Sequence, residues 1–262
     1  MTTTLVSGCS FTAGSGLDLR DKDPGLFINI LAQQQPKLGQ IKNIAQDGHS
    51  NERIFLDTAL ELSNNNFDHA VVVWTSYPRY TFWAGLETYE CRRSFTPSNY
   101  QLIEHQGQHN NFSQADFKKL KDFFLLLNHD HYYILDLIRY INILINIARL
   151  KHTQIFFVNA LCNWDTNYFN TLPDNLIDTQ NFTAYTQQLI NTKNRSQSEI
   201  FSLYKLIHQQ YHLTGGIQEN FWLNLYQDFR SLIVDRGNDN EHPGYQSHRN
   251  FAQLLNQNLI LS

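Results

Sequence analysis

The chain reads as an α/β protein, a parallel sheet between two layers of helices, with an irregular or helical cap inserted after the third strand. Three observations carry that reading. Short β-rich runs alternate with longer stretches of helical spacing from the first residues onward. One run, Ala70-Val71-Val72-Val73-Trp74, is apolar without a break, the pattern of a strand buried on both faces. Glycines and small polar residues follow directly on the ends of the runs, where open α/β sheets bind ligands.

In chain order, a first strand is expected over Thr3–Ser7, ending at Gly8, and a second over Gln40–Ala45, closed by Asp47-Gly48. Ile54, Phe55, Ala59 and Leu62 are spaced for one face of a helix over Asn51–Leu62. The third strand is His69–Thr75. From Tyr77 to Phe112 the chain is aromatic and polar with no period, which suits an insertion over about 77–130 within a single domain spanning 1–262. Gln114–Leu150 predicts two helices broken near Asn128-His129-Asp130, and Gln154–Leu161 a fourth strand. Phe182–Tyr211 is mostly helical in pattern, and Phe221-Trp222-Leu223 and Phe229 read as helix packing. Pro243 suits the first turn of a last helix, whose core face is Phe251, Leu254, Leu255 and Leu259.

Composition narrows the function. With 262 residues and 42% hydrophobic content the chain can bury one sizeable core. A net charge of −4 leaves no basic surplus to displace phosphate counterions, so nucleic acid is not an expected partner. Cys9, Cys91 and Cys162 are too few and too scattered for a disulfide framework or a zinc site. The N-terminus has neither a basic region nor a long apolar one, so no signal peptide and a cytoplasmic location are expected. The apolar stretch Ile134–Leu150 carries Asp136, Arg139 and Arg149, which suits a buried helix and not a membrane span. His129-Asp130-His131 reads as a helix junction, because consecutive helical residues point in different directions; no metal and no cofactor is expected.

The chemistry sits in segments far apart in sequence. Val6-Ser7-Gly8-Cys9-Ser10-Phe11-Thr12 ends a strand, turns tightly and presents Ser10 at the strand's C-terminal end. Asp239-Asn240-Glu241-His242-Pro243 sets an aspartate three residues before a histidine, a spacing that lets a carboxylate orient an imidazole. Asp235 is a second acid nearby, seven residues before His242. Asn43…Gly48…Ser50-Asn51 follows the second strand and Trp74-Thr75-Ser76-Tyr77-Pro78-Arg79 the third. Each can deliver a hydrogen-bond donor to the edge that carries Ser10.

In that order the four segments resemble the conserved blocks of the SGNH, or GDSL-like, hydrolase superfamily. Gly8-Cys9-Ser10-Phe11-Thr12 is similar to the first block, with Cys9 where the common form has aspartate. Asn43…Gly48…Ser50-Asn51 resembles the second, and Asp239-x-x-His242 the last. The third block normally supplies an asparagine, and here Thr75 and Ser76 stand in its place. The resemblance implies the SGNH/flavodoxin-like three-layer fold and a serine esterase acting through an acyl-serine intermediate. It implies Ser10 as nucleophile, His242 as base and Asp239 as the acid that orients it. Gly48, Thr75, Ser76, Asn51 and Arg79 become the candidate oxyanion and substrate-binding set. The substrate would be a small-molecule or carbohydrate O-acyl ester, an acetyl ester among them. A weakened SGNH-fold binding protein and an acyltransferase using the same nucleophile are the alternatives.

Overall fold

The computed structural model describes residues 2–75, 130–159, 222–224 and 232–259. Among the described residues the sheet has five parallel strands: β1 (Thr3–Ser7), β2 (Gln40–Asn43), β3 (His69–Trp74), β4 (Gln154–Asn159) and β5 (Trp222–Asn224). Their order is β2-β1-β3-β4-β5. The pleat sorts their side chains to two cores. Leu5, Ala70, Val72, Trp74, Ile155 and Phe157 face one side, packed by α3 (Asn51–Asn64) and α4 (Asp130–Leu150). Val6, Val71, Val73, Phe156 and Val158 face the other, packed by α1 (Ser10–Ala13), α2 (Phe27–Gln34) and α5 (Tyr245–Asn258). The result is a three-layer α/β/α fold. The unbroken apolar run of β3 is needed because both of its faces are covered.

This order also places the site. From β1 the chain passes over the α2 face to β2, then over the α3 face to β3 on the other side of β1. The connections therefore diverge at the C-terminal ends of β1 and β3, the switch point where such sheets leave a crevice. Ser10 follows β1 directly, Gly48 follows β2 and Thr75 follows β3.

Several boundaries differ from expectation, each for a local reason. The second strand stops at Asn43, not Ala45, because Asn43 Oδ1 accepts the Ala45 N–H at 3.0 Å and turns the chain. The third ends at Trp74, and the fourth is described over Gln154–Asn159, with Ala160 and Leu161 outside the described residues. The second of the two helices expected in 114–150 is α4; the first lies outside the described residues. Helix α2 carries buried Phe27, Ile28 and Leu31, and no sequence signal had marked it. Trp222–Asn224 is not helical packing but a parallel edge strand, in register with Phe157–Asn159. Three residues are too few to display a period. Pro243 is not in the last helix: it pairs with Arg236 in an isolated antiparallel bridge, and α5 begins at Tyr245 behind Gly244. The expected insertion and the helix over 182–211 lie outside the described residues. No helix among the described residues is long and apolar enough to cross a membrane.

An aromatic cluster joins the three helices of the second layer. His248 of α5 stacks on Phe11 of α1 at 5.0 Å and on Phe27 of α2 at 6.0 Å, and Phe251 meets both phenyl rings edge-on. His248 is fully buried and its ring nitrogens find no hydrogen-bond partner. Burial pushes its pKa down from 6.5 to about 4, against the pull of Asp235 and Asp23. The folded protein thus resists a proton that the unfolded chain accepts. As pH falls from 6.5 to about 4, stability should drop by about 3 kcal/mol and then level off for this group. His248→Phe should flatten that limb in urea melts taken across the window. An unchanged limb would assign the acid sensitivity to other groups.

Candidate active site

The nucleophile candidate is fixed by backbone geometry. Cys9 is the N-cap of α1, and its carbonyl accepts the Thr12 and Ala13 N–H groups at 2.9 and 3.0 Å. Ser10 is therefore the first helical residue, where backbone N–H groups have no intrahelical acceptor. Its neighbours sort by burial. Cys9 packs in the core at 1% exposure, whereas Ser10 keeps 8%. The thiol is a packing residue, and the serine, though also buried, belongs to neither apolar cluster.

The loop after β2 is tied to the same helix. The Ile44 N–H donates to Val6 C=O at 2.8 Å, and Asn43 Nδ2 donates to Thr12 C=O at 2.8 Å. Asp47-Gly48 then turns with Gly48 at φ +75°, a conformation that favours glycine. A Cβ on Gly48 would meet nothing within 4 Å, so glycine is required there by its backbone angle and the space over it is open.

At the start of α3, Ser50 caps the helix by accepting the Arg53 N–H at 3.2 Å. Asn51 spends both side-chain groups on the backbone of Thr75. Its Nδ2 donates to Thr75 C=O at 3.1 Å, and its Oδ1 accepts the Thr75 N–H at 2.8 Å. Asn51 thus clamps α3 to the end of β3 and holds Thr75, itself fully buried, in place. Ser76 and Arg79 lie outside the described residues.

Asp239 and His242 meet as the spacing predicts. Asp239 Oδ1 accepts the N–H groups of Glu241 at 3.0 Å and His242 at 2.9 Å, a local turn built by an aspartate on its own chain. Its other oxygen lies 2.6 Å from His242 Nδ1. The His242 N–H first, then the Glu241 N–H and the imidazole, hold the Asp239 carboxyl down at about 2 against the opposing effect of burial. The ionised carboxylate accepts a hydrogen bond from Nδ1 when that nitrogen carries the proton, the arrangement in which an aspartate orients an imidazole.

The rest of the loop fixes where this pair sits. The Asn238 N–H donates to Gly16 C=O at 2.8 Å, and Asn238 Nδ2 donates to Asp18. Gly16 has φ +87°, and a Cβ there would lie 3.1 Å from both Asp239 Oδ1 and His242 Cβ. The segment six residues past Ser10 is therefore in contact with the acid–base pair, although more than two hundred residues separate them in sequence.

Asp235, the alternative acid, is committed elsewhere. Its carboxylate accepts the Gln246 and Ser247 N–H groups, each at 2.8 Å, and the Ser247 hydroxyl. It caps α5 from outside the helix, which is why that helix starts after Pro243. Burial raises its carboxyl, but the Ser247 hydroxyl and the two amides outweigh this and hold it below the usual range. A cleft of about 970 Å³ lies between α2 and α5, lined by Asp18, Asp23, Gln33, Tyr245 and Arg249 among others. It borders the Asp239–His242 loop but includes neither member of the pair, nor Ser10 or Gly48.

No protein-family model matches the chain, and no curated protein matches it. Among solved structures it is similar to the psychrotrophic esterase EstA from Pseudoalteromonas sp. at 9% identity and a TM-score of 0.44, over 98% of this chain and 96% of that one. It is similar to a mutant of Axe2, an acetyl-xylooligosaccharide esterase from Geobacillus Stearmophilus, at 11% identity and 0.44, over 100% and 95%. It is also similar to a member of the lipolytic protein G-D-S-L family from Veillonella parvula at 10% identity and 0.39, over 98% and 97%.

Proposed function

We propose that the chain is a serine ester hydrolase of the SGNH, or GDSL-like, type. The observation that carries this reading is the Asp239–His242 pair, whose loop is bonded to the segment just after Ser10 at the crevice end of the sheet.

In this mechanism Ser10 Oγ attacks the ester carbonyl while its proton passes to His242 Nε2. The negative charge that develops on the carbonyl oxygen is met by the N–H groups of Ser10 and Gly48, with Ser76 as the third donor, since Thr75 is buried and its N–H is bonded to Asn51. The C–O bond to the alcohol breaks, and the alcohol leaves with the proton held by His242. Water then gives a proton to His242 and attacks acyl-Ser10. Collapse frees the carboxylic acid and returns the proton to Ser10. Asp239 stays ionised throughout and stabilises the imidazolium. The substrate is an O-acyl ester small enough for the crevice, such as an acetyl ester of a carbohydrate, with Arg79 available to an anionic group.

A fluorophosphonate probe tests the nucleophile directly, because it reacts only with an activated serine. One adduct per chain is expected, on Ser10, and His242→Ala should prevent it. No adduct, or an adduct elsewhere, would overturn the assignment and favour a protein that only binds ligands on this fold.

A further inference from the structure

Asp47 immediately precedes Gly48, and its side chain is held at both oxygens. Oδ1 accepts from the Ser15 hydroxyl and Oδ2 from Arg20 Nη2. Arg20 Nη2 also donates to Ser15 Oγ at 3.2 Å, which closes a ring of three residues. Ser15 and Arg20 both belong to the segment that follows the nucleophile, and the Ser15 N–H donates to Ser10 C=O at 3.0 Å. The ring therefore joins the two sides of the crevice, the helix that presents Ser10 and the turn that presents Gly48.

Two features suggest that the ring sets geometry more than stability. Arg20 adopts φ +52°, a conformation that a non-glycine residue seldom keeps unless its surroundings hold it. The Arg20 and Asp47 side chains are also more than half exposed, at 55% and 53%. An ion pair so exposed adds little to folding. By contrast, the backbone bonds of the turn are long: the Gln46 N–H reaches Gly8 C=O at 3.3 Å and the His49 N–H reaches Gln46 C=O at 3.4 Å.

We infer that Asp47, held by Ser15 and Arg20, is a positioning residue that aims the Gly48 N–H at the oxyanion. The inference rests on the reading of Ser10 as nucleophile. The direction of the Gly48 N–H depends on the peptide plane between Asp47 and Gly48. Gly48 has no side chain to fix that plane, and the residue before it is held at both carboxylate oxygens. An oxyanion donor is useful only if it is already aimed when charge develops, and a displacement near 1 Å can cost about 10²-fold.

The test compares the fluorophosphonate labelling rate at Ser10, and kcat and KM on an acetyl ester, across variants. Asp47→Ala and Arg20→Ala should each lower the labelling rate and kcat by about 10- to 100-fold, with KM changed by less than about threefold. Their melting temperatures should match the wild type. Arg20→Lys keeps a donor and a charge and should recover part of the rate. The Asp47→Ala/Arg20→Ala double variant should be no slower than Asp47→Ala, since the residues act as one unit. Lys42→Ala breaks a different ion pair, with the partly buried Glu61 on α3, and should leave the rate unchanged. Labelling of Asp47→Ala at the wild-type rate would overturn the inference alone. Absence of labelling in the wild type would overturn the nucleophile, and this inference with it.

Discussion

Replacing Ser10 with alanine is expected to abolish ester turnover, lowering kcat by about 10⁴-fold or more, while the protein melts as the wild type does. The large effect follows from chemistry. Without Oγ there is no acyl intermediate, and His242 has no nucleophile to activate. The small structural effect follows from position. The capping residue of α1 is Cys9, working through its carbonyl, so the Ser10 side chain is not what starts the helix. Alanine is at least as good a helix former as serine, and the site is not part of either apolar core. Turnover on an acetyl ester, measured beside a thermal melt, separates the two quantities. Undiminished turnover in the folded variant would remove Ser10 from the mechanism.

Asp239→Asn is the second large effect, also about 10⁴-fold on kcat. An asparagine in this place can still accept the Glu241 and His242 N–H groups with its carbonyl, so the turn should survive. What changes is the group facing Nδ1. An amide N–H there favours the tautomer with its proton on Nε2, which cannot act as base, and the negative charge that stabilises the imidazolium is gone. The pH profile gives a separate check. With its pKa lowered from 3.8 to about 2, Asp239 stays largely charged in the folded protein above that, and the stability its ionised form contributes is lost as pH falls from 3.8 to about 2. A fall in wild-type rate at milder acidity is therefore not the titration of Asp239. Full activity in Asp239→Asn would sink the pairing. Asp235 could not easily take over, because its oxygens are occupied by the N-terminal groups of α5.

The parts of this protein that could be read from sequence are those in which a few adjacent residues determine the outcome. The run Ala70–Trp74 had to be buried on both faces, and it is the centre of the sheet. Asp239 and His242 are three residues apart, and one turn stabilised by the aspartate itself brings them together. Gly48 stood out as a turn glycine after a strand, and its φ is positive. Helix α2 and strand β5 were missed because one is short and weakly patterned and the other has three residues.

Other features depend on segments that are remote in sequence, and no local pattern records them. Asp239 has the three-residue spacing from His242 and Asp235 does not, yet spacing says nothing of what Asp235 does instead. Only the packed loop shows that one caps α5 and the other faces the imidazole. Asn51 read as a ligand-binding candidate, yet its amide bridges to Thr75. Ser15 and Arg20 carried no motif at all and became visible only where they close on Asp47. Sequence by itself determined the layer order's ingredients and the contact between Asp239 and His242, because propensity and short turns act over a few residues. Tertiary structure alone decided what each carboxylate and amide is used for, because a hydrogen bond depends on which partner lies within about 3 Å, and here that partner comes from another part of the chain.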